Sequence, residues 1–253
     1  GAAIPSARIP PTGEVTQTTQ PTRSTPAPAV LYVNKVASDG WPQARAEGSG
    51  ERLSLSKYTR LANVQTRGGR IYFKAAEGVH QGRTLSLAQA NAQEYLGNRA
   101  PTAKAAQLTV TYGKYESGWY SQARGDKLDQ QLATLEIDAV SAAVTMNSVW
   151  GTGFTPLPPG QYKVLLPDVP HGANMTRPYR RVEPALVFDQ VWFPIQHGDN
   201  SRYVHIGNLS DGCVTVMDFA KWPAIHEALL SHRSPDGKSV ALLTVKGKPQ
   251  RER

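Results

Sequence analysis

Apolar and polar residues alternate with period two along much of the chain, which is the pattern of half-buried β-strands. The alternation marks strands over 30–36 and over 70–74, the second after the Gly68-Gly69 turn. It returns at 107–112, where Leu108, Val110 and Tyr112 share a face, and at 139–146. Further strands are expected at 161–166, after the Pro158-Pro159-Gly160 turn, and at 187–195, 202–206, 214–216 and 240–245. Residues 53–66 alternate weakly. Helical spacing is rarer. Leu85, Leu87, Ala88, Ala92, Tyr95 and Leu96 predict a helix over 85–96, closed by Pro101. Pro223 suits the first turn of a short helix over 224–230. Residues 128–143 read as a helix passing into a strand. The stretches 113–125 and 168–181 read as connections. Trp119 and Tyr120 in the first are expected to pack. His171 and the arginines 177, 180 and 181 of the second are expected in a solvated loop, where arginines are also candidates for carboxylates. His80, His226 and His232 are expected at or near the surface, and the basic tail 246–253 to fray.

Composition sharpens this outline. With 22 Gly and 19 Pro in 253 residues, the chain suits a turn-rich, mainly β architecture with short helices. Residues 1–29 are rich in Pro, Thr and Ser and nearly free of large apolar side chains, so they read as a linker or tether. An N-terminal α/β segment follows over 30–105, and a larger β-rich domain over 106–253. The net charge of +8 favours an anionic partner. Nucleic acid is not expected, because no basic cluster with interleaved aromatics and no nucleic-acid motif is present. No run of 18 apolar residues exists, so no membrane span is expected. Phosphate-binding and metal-binding motifs are lacking and the histidines are scattered, so no cofactor and no metal are expected.

The chemistry concentrates in residues 203–216. Cys213 is the only cysteine, so it has no internal disulfide partner. It closes the turn Ser210-Asp211-Gly212-Cys213, and His205 lies eight residues upstream. A thiol nucleophile needs a base and oxyanion donors, and all three fit within this stretch. The amides near Gly212 and Cys213 are the candidate donors. Ser210 is expected to brace the turn, and Asp211 to point outward, since a carboxylate beside the thiol opposes its ionisation. Asn208 and Gly207 are candidates to orient the His205 ring through their carbonyls. Trp192, Phe193, Arg202, Tyr203, Asn208 and Thr215 are candidates for the pocket wall and substrate contacts.

This stretch resembles the active-site signature of the L,D-transpeptidase family. That signature is a histidine on a strand followed by Ser/Thr-x-Gly-Cys and an apolar residue, met here by His205, Ser210, Gly212, Cys213 and Val214. Thr155-Pro-Leu-Pro-Pro-Gly-Gln-Tyr-Lys-Val164 is similar to the turn and strand that precede it, and the likeness covers about 140–246. The family's spacer is longer, which makes His197 the second candidate for its histidine. Thr215 stands where the family carries Arg or Asn. The resemblance implies a β-sandwich catalytic domain in the periplasm or secreted, acting on peptidoglycan stem peptides through a Cys213 thioester and releasing a D-amino acid. Water as acceptor would make a carboxypeptidase or hydrolase instead, and loss of the chemistry a wall-binding module.

Overall fold

The computed structural model describes residues 29–252. The linker expected over 1–29 lies outside the described residues except for Ala29. Two sheets divide the chain. The first contains β1 (Ala29–Val33), β2 (Gln43–Ala46), β3 (Arg52–Ser54), β4 (Arg60–Arg67), β5 (Arg70–Ala75), β6 (Thr84–Ala88) and β7 (Leu96–Gly97), in the order β3-β2-β6-β5-β4-β1-β7. All its pairings are antiparallel, and α1 (Gln89–Tyr95) is its only α-helix. The expected α/β segment is therefore an antiparallel sheet with one short helix. Leu85 and Leu87, whose spacing predicts helix, are strand residues. They lie on β6 opposite Phe73 and Ile71, and α1 begins only at Gln89. Cross-strand packing of those leucines outweighs the helical spacing of a short segment.

The second sheet closes into a barrel. Its strands are β8 (Ala106–Ser121), β9 (Asp126–Ile137), β10 (Val140–Asn147), β11 (Gly160–Leu165), β12 (Phe193–Ile195), β13 (Arg202–Ile206), β14 (Val214–Val216) and β15 (Ser239–Lys246). The closed order is β9-β10-β14-β13-β12-β11-β15-β8. A barrel replaces the expected sandwich, because β15 pairs in parallel with β8 and removes both free edges. Mainly β structure with a few short helices is what the chain adopts.

The 113–125 connection is instead the far end of a long β8–β9 hairpin, with Gln131 opposite Tyr115 and Leu128 opposite Trp119. Bulges there break the alternation that would have revealed it. Trp119 and Tyr120 at its tip are 37% and 56% exposed, not packed. Residues 128–143 are strand on both sides of a turn at Asp138, with no helix. Residues 187–192 are not strand, and only Phe193–Ile195 pairs. The 168–181 loop contains the helix α2 (Ala173–Val182). Pro178 inside it hid the helix from a reading by breakers. The tail also docks: the Gln250 N–H donates to Gln131 Oε1 (2.7 Å) and Arg251 lies over the Trp150 ring.

The barrel core and the first sheet share a boundary. Trp41 and Tyr58 of the N-terminal half belong to the barrel's apolar cluster. Arg233 forms a buried pair with Glu77 (3.0 Å) beside α3 (Trp222–Leu230). His226 on α3 is buried against Phe188 rather than at the surface, and among the described residues its Nε2 has no hydrogen-bond partner.

Candidate active site

Strand alternation builds the site. On β13 and β14, Val204, Ile206, Val214 and Val216 enter the barrel core. The intervening residues therefore face outward. Register then sets two rows. Phe193 pairs with Val204 and His205 with Thr215, so Trp192, His205 and Thr215 form one row. One step back along β13, Pro194 pairs with Tyr203, and Cys213 immediately precedes the parallel partner of Val204. Tyr203 N–H donates to Cys213 Sγ at 3.4 Å.

β13 and β14 are parallel neighbours joined only by residues 207–213. Parallel strands ordinarily need a crossover of about a dozen residues or more. A shorter link must reverse twice, and polar side chains hold it in that path. Ser210 Oγ donates to Cys213 O (2.7 Å) and accepts from the Gly212 N–H (3.2 Å). Ser210 and Ser148 exchange two further bonds through Ser148 N–H and Ser148 Oγ. Arg202 Nη1 donates to Gly212 O (2.8 Å) and Thr155 O (2.6 Å). Gly212 has φ +93°, and a Cβ there would lie 2.7 Å from Thr155 O. Asn208 is buried, accepts from Ser121 Oγ (2.9 Å) and donates its backbone N–H to Tyr179 Oη (3.1 Å).

These contacts revise several expected roles. Asn208 and Arg202 brace the loop, and their polar atoms are occupied by protein partners. The Gly212 N–H is bound within the turn. The carbonyl that orients His205 is that of Ile206, not of Gly207 or Asn208. Phe193 faces the core. Asp211 is exposed, as expected of a carboxylate beside the thiol, although it borders the cleft. His197 sits at the β12–β13 turn with its ring against Tyr162, away from the cleft wall.

The cleft itself encloses about 290 Å³. Cys213, His205 and Trp192 line one side, and Asn174, Met175 and Tyr179 of α2 line the other. Sequence reasoning missed the α2 wall. Its signal was the buried pair Thr176 and Tyr179 at helical spacing. Asp189, fully buried, fixes α2 by accepting from Thr176 Oγ1 (2.5 Å) and from the Arg180 guanidinium (3.0 and 3.1 Å). His171 is not solvated either. Its ring stacks on Trp192, and its Nε2 lies 3.0 Å from Asp168 Oδ1.

The Ile206 carbonyl can only accept, so His205 Nδ1 carries the proton, donating at 2.7 Å. Nε2 is then the basic nitrogen, and it accepts from the Thr215 hydroxyl at 3.2 Å. No hydrogen bond joins His205 to Cys213 among the described residues. Burial lowers His205 to about 4 and raises the Cys213 thiol to about 11, with Asp211 adding to the second shift. The resting pair is a neutral imidazole and a protonated thiol. Comparison of the chain with protein-family models, curated proteins and solved structures found no match. No group of His, Cys, Asp and Glu suited to a metal occurs among the described residues, and no described helix is long and apolar enough to cross a membrane.

Proposed function

We propose that this chain is a cysteine acyltransferase of L,D-transpeptidase type that acts on peptidoglycan stem peptides in the cell envelope. One observation carries the reading: a histidine of fixed tautomer on β13 and a lone thiol at the entry to its parallel neighbour β14 line the same cleft. Its substrate class rests on the sequence resemblance around Cys213.

In the first step the Cys213 S–H proton passes to His205 Nε2 as sulfur attacks a stem-peptide carbonyl. A C–S bond forms, and the C–N bond to the D-residue breaks when the imidazolium returns the proton to the leaving amine. An amine of a second stem then attacks the thioester carbonyl: a C–N bond forms, the C–S bond breaks, and the amine proton passes through His205 Nε2 back to the Cys213 sulfur. For Nε2 to take a proton, the Thr215 hydroxyl has to rotate away from it. The Cys213 amide is the candidate oxyanion donor, since that of Gly212 is bound. Because the thiol is protonated at rest, the nucleophile forms only with a carbonyl in place. Thiolates are the species that oxidise, so this limits damage to an exported enzyme.

Incubation with a stem tetrapeptide, followed by intact-mass spectrometry, tests the reading. An acyl adduct on Cys213 and release of the terminal D-amino acid are expected, with both lost in Cys213→Ala and His205→Ala and kept in His197→Ala. A wild-type chain that forms no adduct and releases no amino acid would overturn it. Release without cross-linked product, with water as the acceptor, identifies a carboxypeptidase.

A further inference from the structure

The outer face of the N-terminal sheet brings together cations that are scattered in the sequence. Register places Arg52 opposite Arg45, Arg45 opposite Ser86, Ser86 opposite Tyr72, and Tyr72 opposite Gln65. This row crosses β3, β2, β6, β5 and β4. At about 4.8 Å per strand spacing it extends roughly 19 Å. Three surface grooves share these residues end to end. Arg45 and Ser86 line the first two, and Tyr72 and Glu47 the second and third. They form one open trough.

Charge in the trough is one-sided. Arg45, Arg52, Arg67, Arg70 and Lys74 line it, against the single carboxylate of Glu47. Arg67 already pairs with Glu47 (2.9 Å). Among the described residues, no carboxylate lies within ion-pair distance of Arg45, Arg52, Arg70 or Lys74. Arg45 and Arg52 also face each other directly across two strands, a like-charge pairing that destabilises a sheet. Ser86 orients Arg70, accepting from its Nε through Oγ (3.0 Å) and from Nη2 through the carbonyl (3.3 Å). The Nη1 side of Arg70 is left without a carboxylate partner, as are the guanidinium groups of Arg45 and Arg52 among the described residues, and guanidinium N–H groups suit carboxylates.

We propose that this trough docks the peptidoglycan polymer itself, taking the carboxylates of its peptide stems on Arg52, Arg45 and the neighbouring Arg70, which line one groove away from the Cys213 cleft. The identity of the polymer rests on the transpeptidase reading; the anionic, linear character of the ligand rests on the trough. Its length accommodates about five or six extended residues. Single-stranded nucleic acid fits less well. Its bases need aromatic platforms, and Tyr72, the one ring on the row, carries the Arg67 guanidinium 3.8 Å from its centroid.

Co-sedimentation of the full chain with purified peptidoglycan sacculi tests this, using Cys213→Ala protein throughout to prevent turnover. Sedimentation at low salt and release by raised salt are expected. Adding Arg45→Glu and Arg52→Glu should weaken binding at least tenfold with an unchanged melting temperature, and Arg45→Gln with Arg52→Gln should weaken it less. Undiminished binding by the glutamate variant, no sedimentation of the parent, or tighter binding to single-stranded DNA than to sacculi would each overturn the proposal. Adduct formation at Cys213 is scored separately on wild-type protein. Loss of docking with normal adduct formation, or the reverse, separates the two readings.

Discussion

The Trp192 indole lies flat against the His205 imidazole, with ring centroids 4.0 Å apart and planes 16° from parallel. The opposite indole face carries His171 at 4.3 Å and 7°. The stack fixes the plane of His205, while the Ile206 carbonyl fixes its tautomer. An aromatic face also favours a cation above it, so in the proposed reaction Trp192 would stabilise the imidazolium formed when His205 takes a proton. Trp192→Phe should retain activity within several-fold, because a ring remains. Trp192→Ala should lower D-amino-acid release by at least tenfold and cost on the order of 3 kcal/mol in stability. Kinetics and urea denaturation of both variants measure this.

Acid should destabilise the fold through two buried histidines. Burial lowers His205 to about 4 and His226 to about 3, from 6.5. The unfolded chain then binds protons that the folded chain refuses. Stability is complete above pH 6.5 and falls as pH drops towards 4. Each histidine should contribute a loss of about 2 kcal/mol between pH 7 and 5. Urea midpoints at the two pH values would show it, and His226→Phe should remove about half of the difference.

At the other end of the scale, Cys213 should be slow to alkylate in the free protein. A thiol held near 11 has little thiolate at pH 7, so iodoacetamide labelling should rise only above pH 9. Asp211→Asn should move the profile to lower pH, because the carboxylate contributes to the upward shift. Labelling as fast as in the unfolded chain at pH 7 would show that the fold does not oppose ionisation of the thiol.

The turn should not tolerate a side chain at Gly212. Its φ of +93° disfavours other residues, and a Cβ would meet Arg202 Nη1 at 2.5 Å and Thr155 O at 2.7 Å. Gly212→Ala should abolish turnover while circular dichroism stays close to wild type, since the strain is local to the turn and its contacts with Arg202 and Thr155.

Glu77 and Arg233 join the first sheet to the end of α3 and are each 8% exposed. Removing one partner leaves the other charge buried. Glu77→Gln or Arg233→Met should cost about 3–5 kcal/mol, whereas Glu77→Leu with Arg233→Met should cost much less. A double-mutant cycle by urea denaturation measures the coupling.

The sequence carried local information well where one physical cause acted alone. Period-two alternation located β1, β5, β11, β13 and β15, because one face of each is buried. The same signal placed His205 on the strand over 202–206 that leads to the Cys213 turn. Local pattern gave way where causes competed. Bulges disguised the long hairpin, cross-strand packing claimed Leu85 and Leu87, and Pro178 concealed α2. A turn motif identified Cys213, but nothing local showed that Asn208 and Arg202 would be occupied in holding the loop.

What the sequence alone determined is a mainly β chain with one thiol set in a Ser-x-Gly-Cys turn and a histidine on the strand before it. Tertiary structure alone decided that β15 closes the sheet into a barrel, that α2 walls the cleft, and that His171 stacks behind Trp192. It also decided that Arg45, Arg52 and Arg70 share one trough. The physical reason is the same throughout. Alternation and turn chemistry act between neighbours in the chain, whereas closure, stacking and charge clustering depend on register between segments far apart in the chain.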